Sequence, residues 1–306
     1  MRKCKIYISD VTLHMELPNF IFQASENLIE KPWGGEWIAL LKGFRKKGIG
    51  ESWEFSAHPS NPSQVLLKKN VAKLTELVIE AKNEILGKLS EKYQNFPLLV
   101  KIIETTERLE PHLHPSAKVA ESLGESDGGK MKAWVMVSGN AYIGFSEDFT
   151  LEKFEEIRKE GAIWKKMNAF PATAYDTFLI PCGVIHSVEN ARFVEISTNA
   201  ELSFSINDEK IKKAIKLNKT EDFEVKGKKG KIETEFFGAE IVDVVGRVDF
   251  AIDTFNILLC LEGYAMLRSG KEFADLQKGY SCLVPAITAN YSIQSEKAKV
   301  LRIYPK

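Results

Sequence analysis

Trp134-Val135-Met136-Val137-Ser138-Gly139-Asn140-Ala141-Tyr142-Ile143, followed downstream by Phe178-Leu179-Ile180-Pro181-Cys182-Gly183-Val184-Ile185-His186-Ser187-Val188, decides the fold because the chain repeats it. The second copy is Leu258-Leu259-Cys260-Leu261-Glu262-Gly263-Tyr264-Ala265-Met266-Leu267, then Ser281-Cys282-Leu283-Val284-Pro285-Ala286-Ile287-Thr288-Ala289-Asn290-Tyr291. Each copy reads as strand, glycine turn, strand, then an apolar strand ending at proline and a tight turn. Short strands punctuated in this way predict a mainly β chain of two jelly-roll barrels with a few short helices. His186 in the first copy corresponds to Asn290 in the second. The chemistry is therefore assigned to the first barrel and a structural role to the second.

The glycine-punctuated basic run Lys226-Gly227-Lys228-Lys229-Gly230-Lys231 reads as a solvated linker. It sets an expected division into residues 1–222, a catalytic barrel with helical insertions, and 223–306, a degenerate barrel. Pro97-Leu98-Leu99-Val100-Lys101-Ile102-Ile103-Glu104 reads as a buried strand, and Ser138-Gly139-Asn140 as a hairpin turn. Helices are expected over 70–80, 151–159 and 208–217.

The 306 residues carry 42 acidic and 42 basic side chains, so no global field favours nucleic acid or an anionic membrane. The apolar runs are shorter than the roughly 20 residues of a membrane-spanning helix. Met1-Arg2-Lys3-Cys4 opens without a secretory pattern, and the four scattered cysteines form no C-x-x-C pair. A reduced, cytoplasmic protein, monomer or homodimer, is expected.

His112-Leu113-His114-Pro115 places two of only five histidines one residue apart. On a strand both imidazoles share a face and can hold a divalent metal, with His186 as a third ligand. The competing reading is two surface histidines on an exposed strand. Three histidines suit zinc, and equally other divalent transition metals. Lys101 is a charge inside an apolar strand, so it either pairs with a carboxylate such as Glu54 or faces a pocket. His58 reads as a structural hydrogen-bonding residue and Cys182 as a small buried apolar one.

At these residues the chain resembles the compact bacterial and archaeal type I phosphomannose isomerases, a family of metal-dependent cupins. Lys31-Pro32-Trp33-Gly34-Gly35 is similar to the family's W-G-G segment, and Ile49-Gly50-Glu51-Ser52-Trp53-Glu54-Phe55-Ser56-Ala57-His58-Pro59 to its I-G-E-S-W-E-I-S-A-H-P block. Leu113-His114-Pro115 falls where Q-V-H-P stands, and Pro181-Cys182-Gly183-Val184-Ile185-His186 where P-A-G-T-I-H stands. The resemblance implies two cupin barrels and interconversion of mannose 6-phosphate and fructose 6-phosphate through an enediol. It also implies a zinc site, and a sugar phosphate rather than a macromolecule as partner.

Two departures fall on that chemistry. The family's ligands are glutamine, histidine, glutamate and histidine; His112 replaces the glutamine and Lys132, in Gly129-Lys130-Met131-Lys132-Ala133-Trp134, the glutamate. An ammonium has no lone pair for a metal. The resemblance also places Ser205 where the family has an active-site arginine. Metal is therefore assigned to His112, His114 and His186, catalysis to Lys132 and Lys130, and the substrate-facing wall to Lys101 and Trp33. The alternatives are another metal-dependent cupin, whether sugar-phosphate isomerase, epimerase or oxygenase, and a catalytically silent sugar-binding homologue.

Overall fold

A computed structural model describes residues 4–8, 11–15, 21–67 and 70–306. The expectation for Met1-Arg2-Lys3 lies outside them, as do the side chains of Cys4 and His14. Two nine-stranded antiparallel sheets carry the chain, as two cupin barrels with short helices between the strands. The first runs Met167–Ala172, Lys132–Phe145, His186–Thr198, Leu98–Glu104, Ile49–Phe55, Leu28–Gly35, with His112–Leu113 paired to the His186–Thr198 strand. The second runs Lys231–Glu233, Phe237–Ala251, Asn290–Pro305, Asn256–Ser269, Ser281–Val284, and then takes in Phe22–Ala24, Gln64–Leu67 and Asn70–Lys73.

Strand alternation decides what each face does. Ala133 and Val135, Val194 and Ile196, and Val100 and Ile102 turn toward the second sheet, joining Ile257, Leu259, Leu301 and Ile303 in the largest apolar core. Each such burial is worth about 1.5–3 kcal/mol. The opposite face carries Trp134, Met136, Phe193 and Ile103, which line the interior of the first barrel with Phe170 and Phe178. Lys132, Lys101 and Glu195 share the parity of that inner face. Charges thus enter the barrel on strands whose other face is apolar over Ala133, Val135, Val194, Ile196, Val100 and Ile102.

The repeat is real, but its glycine is a bend rather than a hairpin turn. Lys132–Phe145 is one continuous strand, and residues on both sides of Gly139 pair with the same neighbour: Met136 with Phe193, Asn140 with Glu189. Gly139 adopts φ 107°, and a Cβ there would lie 2.4 Å from the Ala191 Cα, so the two strands meet closely at the bulge. The second copy bends in the same way at Gly263, within Asn256–Ser269. The repeat also holds at the start of the following strand, where His186 and Asn290 occupy the same place.

The expected 151–159 helix is present as Leu151–Lys159, capped by Thr150 and burying Phe154 and Ile157. The 70–80 expectation holds only from Leu74 to Glu80, because Asn70–Lys73 is claimed by pairing with Gln64–Leu67. The 208–217 helix shrinks to Ile211–Ala214. Beyond it the chain straightens so that the Lys216 amide reaches the Gly183 carbonyl, bracing the turn before His186. Among the described residues, no helix is long and apolar enough to cross a membrane.

Candidate metal centre and active site

His112 and His186 are direct cross-strand partners, and His114 follows at the end of the short His112–Leu113 strand. Ring centroids lie 4.3 Å apart for His112 and His186, 5.5 Å for His112 and His114, and 5.2 Å for His114 and His186. One nitrogen from each ring falls within 4.8 Å of the others. Local structure fixes which nitrogen that is. His114 Nδ1 bonds the Leu202 carbonyl at 2.7 Å, His186 Nδ1 the Val184 carbonyl at 2.8 Å, and His112 Nδ1 the Glu110 carbonyl at 3.2 Å. A carbonyl only accepts, so each Nδ1 carries the proton and each Nε2 keeps a lone pair.

His114 Nε2 and His186 Nε2 are buried and bond to nothing. Two orphaned acceptors in one pocket, beside a third ring, are what a metal ligand set requires and what an apolar core avoids. Burial, reinforced by the Lys132 charge, pushes His112 down to about 4 and holds His114 and His186 well below the usual imidazole range. All three are therefore neutral, the form that binds metal. The donor set fits zinc.

Beside the histidines runs a row of cross-strand partners: Trp134, Glu195, Lys101 and Trp53, on four adjacent strands. The buried Glu195 carboxylate accepts from Lys130 at 2.9 Å, Lys132 at 3.1 Å and the Trp134 indole at 3.0 Å. Glu201 takes Lys130 at 2.5 Å and Lys101 at 2.8 Å. Lys101 also lies 3.9 Å over the Trp53 ring, and the Trp53 indole donates to Glu51 at 2.7 Å.

The two catalytic candidates are tuned apart. Burial, with the nearby Lys130 charge, lowers Lys132 to about 8 even though Glu195 opposes the shift. Burial works on Lys130 too, but the Glu195 and Glu201 carboxylates overcome it and raise its pKa. Glu195 itself is held well below the carboxylate range, because Lys130, Lys132 and Lys101 outweigh its burial.

These groups open into a cavity of about 490 Å³ lined also by Trp33, Lys31, Arg108 and Ser205. All seven residues chosen from the sequence thus gather at one site; six line the cavity, and His186 completes the histidine cluster. Lys101 both pairs and faces the pocket, but its partner is not Glu54. Trp53 is in register with Lys101, so Glu51 shares the inner face and Glu54 points the other way, to Lys42 at 2.8 Å and Ser281 at 2.6 Å. His58 has the structural role expected of it. It sits 3.4 Å from Asp127, whose carboxylate takes the backbone amides of Glu201 and Leu202 and so steadies the carbonyl that orients His114.

Sequence reasoning missed Glu195, Glu201, Glu51 and Arg108. Glu195 left the same trace as Lys101, a charge within an apolar strand. Glu201 and Arg108 lie on connecting segments with no periodicity to expose them.

Two family models match: phosphomannose isomerase type I, catalytic domain, over residues 25–133, and mannose-6-phosphate isomerase, cupin domain, over 227–305. A solved structure titled "The structure of a putative mannosephosphate isomerase from Archaeoglobus fulgidus" is 52% identical, with 95% of this chain and 99% of that one covered and a TM-score of 0.91. A mannose-6-phosphate isomerase of Streptococcus mutans is 29% identical over 189 residues, 58% of each chain. A zinc-bound holo structure of mannose 6-phosphate isomerase shares the fold, with 13% identity, 94% and 99% coverage and a TM-score of 0.79. The chain belongs to the type I phosphomannose isomerase family.

Proposed function

We propose that this chain interconverts mannose 6-phosphate and fructose 6-phosphate by moving a proton between C2 and C1, with zinc held by His112, His114 and His186. The observation that carries the metal is the pair of buried, unpartnered Nε2 atoms on His114 and His186. Bound there, zinc supplies Lewis acidity toward the sugar oxygens on which charge develops as the enediol forms.

The remaining work falls to the chain's own side chains. Lys132, lowered to about 8, is the group whose free amine is populated near neutrality, and it takes the proton from one carbon and returns it to the next. Lys130 stays charged between Glu195 and Glu201 and orients the hydroxyls. Lys101 and Trp33 line the cavity as its substrate-facing wall, with Lys101 fixed by Glu201 and Glu51. Water is limited by the burial of Lys101, Lys130, Lys132 and Glu195, each under 4% exposed.

The test is a coupled assay supplied with mannose 6-phosphate, in which the fructose 6-phosphate formed is carried through glucose-6-phosphate isomerase and glucose-6-phosphate dehydrogenase to reduce NADP. It is run on protein stripped by chelator and then resupplied with zinc, manganese, cobalt or iron(II). Turnover that disappears with the metal and returns on addition is expected. No product under any metal overturns the isomerase reading.

A further inference from the structure

Five cations line the cavity: Lys31, Lys101, Lys130, Lys132 and Arg108. Four are committed to carboxylates: Lys31 to Glu51 at 3.4 Å, Lys101 and Lys130 to Glu201, and Lys132 to Glu195. Among the described residues, Arg108 has no carboxylate within ion-pair distance. It is exposed at the rim, and its guanidinium lies 4.4 Å from the Trp164 ring centre.

That stack is itself braced. Trp164 meets Tyr142 edge-on with centroids 4.9 Å apart, and the Tyr142 hydroxyl donates to Glu189 at 2.8 Å. The Arg108 backbone bridges to Glu189 as well, so side chain and main chain are tied to one strand. Stacking covers one face of the guanidinium and its edge also meets the Tyr142 hydroxyl, while the exposed remainder of its five N–H donors keeps a planar, two-point contact open to an oxyanion.

We infer that Arg108 is the phosphate anchor of this site. The assignment rests on the sugar-phosphate reading above and adds to it the residue that holds the anionic end. Only three residues lie between Arg108 and His112, so over four steps of chain their Cα atoms are at most about 14 Å apart. A hexose phosphate with its reacting carbons at the histidines and its phosphate at the rim fits that span. Lys31, weakly paired and also lining the cavity, adds a second, longer-range positive charge.

The experiment measures mannose 6-phosphate kinetics and competitive inhibition by inorganic phosphate in the zinc-loaded enzyme, in Arg108→Ala and in Arg108→Lys. Loss of a two-point charged contact raises KM and the phosphate inhibition constant about 30-fold in Arg108→Ala while kcat changes less than about threefold. Arg108→Lys restores charge without the fork and recovers only part of the loss. Unchanged KM and phosphate inhibition in a folded Arg108→Ala overturn the anchor, as does a loss confined to kcat. If the wild type turns over no sugar phosphate, the isomerase reading falls. Calorimetric titration with inorganic phosphate then still decides the anchor, which stands only if wild type binds and Arg108→Ala does not.

Discussion

The Lys132 ammonium lies 3.1 Å from the Glu195 carboxylate, a buried pair on adjoining strands. The family resemblance puts an acidic metal ligand at Lys132, so the two residues together restore one carboxylate and add one amine to the same space. A lysine engaged with Glu195 does not ligate metal, which is consistent with the proton-transfer role proposed for it. Lys132→Ala is therefore expected to lower kcat by at least about a hundredfold, the usual cost of losing a proton-transfer group. Elemental analysis should still find about one zinc per chain. Zinc lost along with activity would make Lys132 a determinant of the metal site instead.

Because Lys132 is lowered to about 8, its free amine grows with pH across the assay range. The kcat/KM profile should rise through an apparent pKa near 8 and level above it. Glu195 raises the Lys132 pKa, so Glu195→Gln moves that limb toward lower pH. The same substitution breaks a buried ion pair and should lower unfolding free energy by about 3–5 kcal/mol. A limb that stays in place in Glu195→Gln, or persists in Lys132→Ala, belongs to another group.

How far the sequence foretold this site follows from the range over which each signal acts. The two-histidine strand was legible because His112 and His114 are near neighbours, and His186 because Pro181-Cys182-Gly183-Val184-Ile185-His186 resembles the family's P-A-G-T-I-H segment. The choice between Glu51 and Glu54 was not legible, since it depends on which residue of the Leu98–Glu104 strand stands opposite Trp53. Ser138-Gly139-Asn140 carries every local mark of a hairpin. Only long-range pairing reveals that the same neighbour continues past it on both sides.

That bend gives a stability prediction. Gly139→Ala places a Cβ 2.4 Å from the Ala191 backbone at a φ of 107°, so a backbone must move and the residue is strained as well. A loss of about 2–4 kcal/mol is expected, read as a lower urea midpoint at unchanged slope. Gly246 is the control: its φ is 80°, but nothing lies within 4 Å of the added carbon. Gly246→Ala should cost only about 1 kcal/mol, the conformational penalty alone. Equal losses at both positions would mean that close packing at Gly139 contributes nothing.

The histidine cluster makes the metal-free protein acid-sensitive in a defined window. In the folded state burial keeps His112 neutral down to about 4, and His114 and His186 are held well below their ordinary value. In the unfolded chain each takes up a proton near 6.5. Below 6.5 the unfolded state therefore binds more protons than the folded state, and stability falls as pH falls. Three such groups give a slope of up to roughly 4 kcal/mol per pH unit between 6.5 and 5, before the carboxylates begin to titrate. Urea midpoints of chelator-treated protein at pH 7.5, 6.5, 5.75 and 5 should fall slightly, by about 1 kcal/mol of stability, between the first two and then drop steeply. His114→Asn should flatten the fall by about a third and weaken zinc binding measured by equilibrium dialysis. Zinc in excess should raise the midpoint at pH 7.5, because it binds the folded chain. A flat acid profile, or a zinc-independent midpoint, would mean that the two orphaned Nε2 atoms are satisfied without metal.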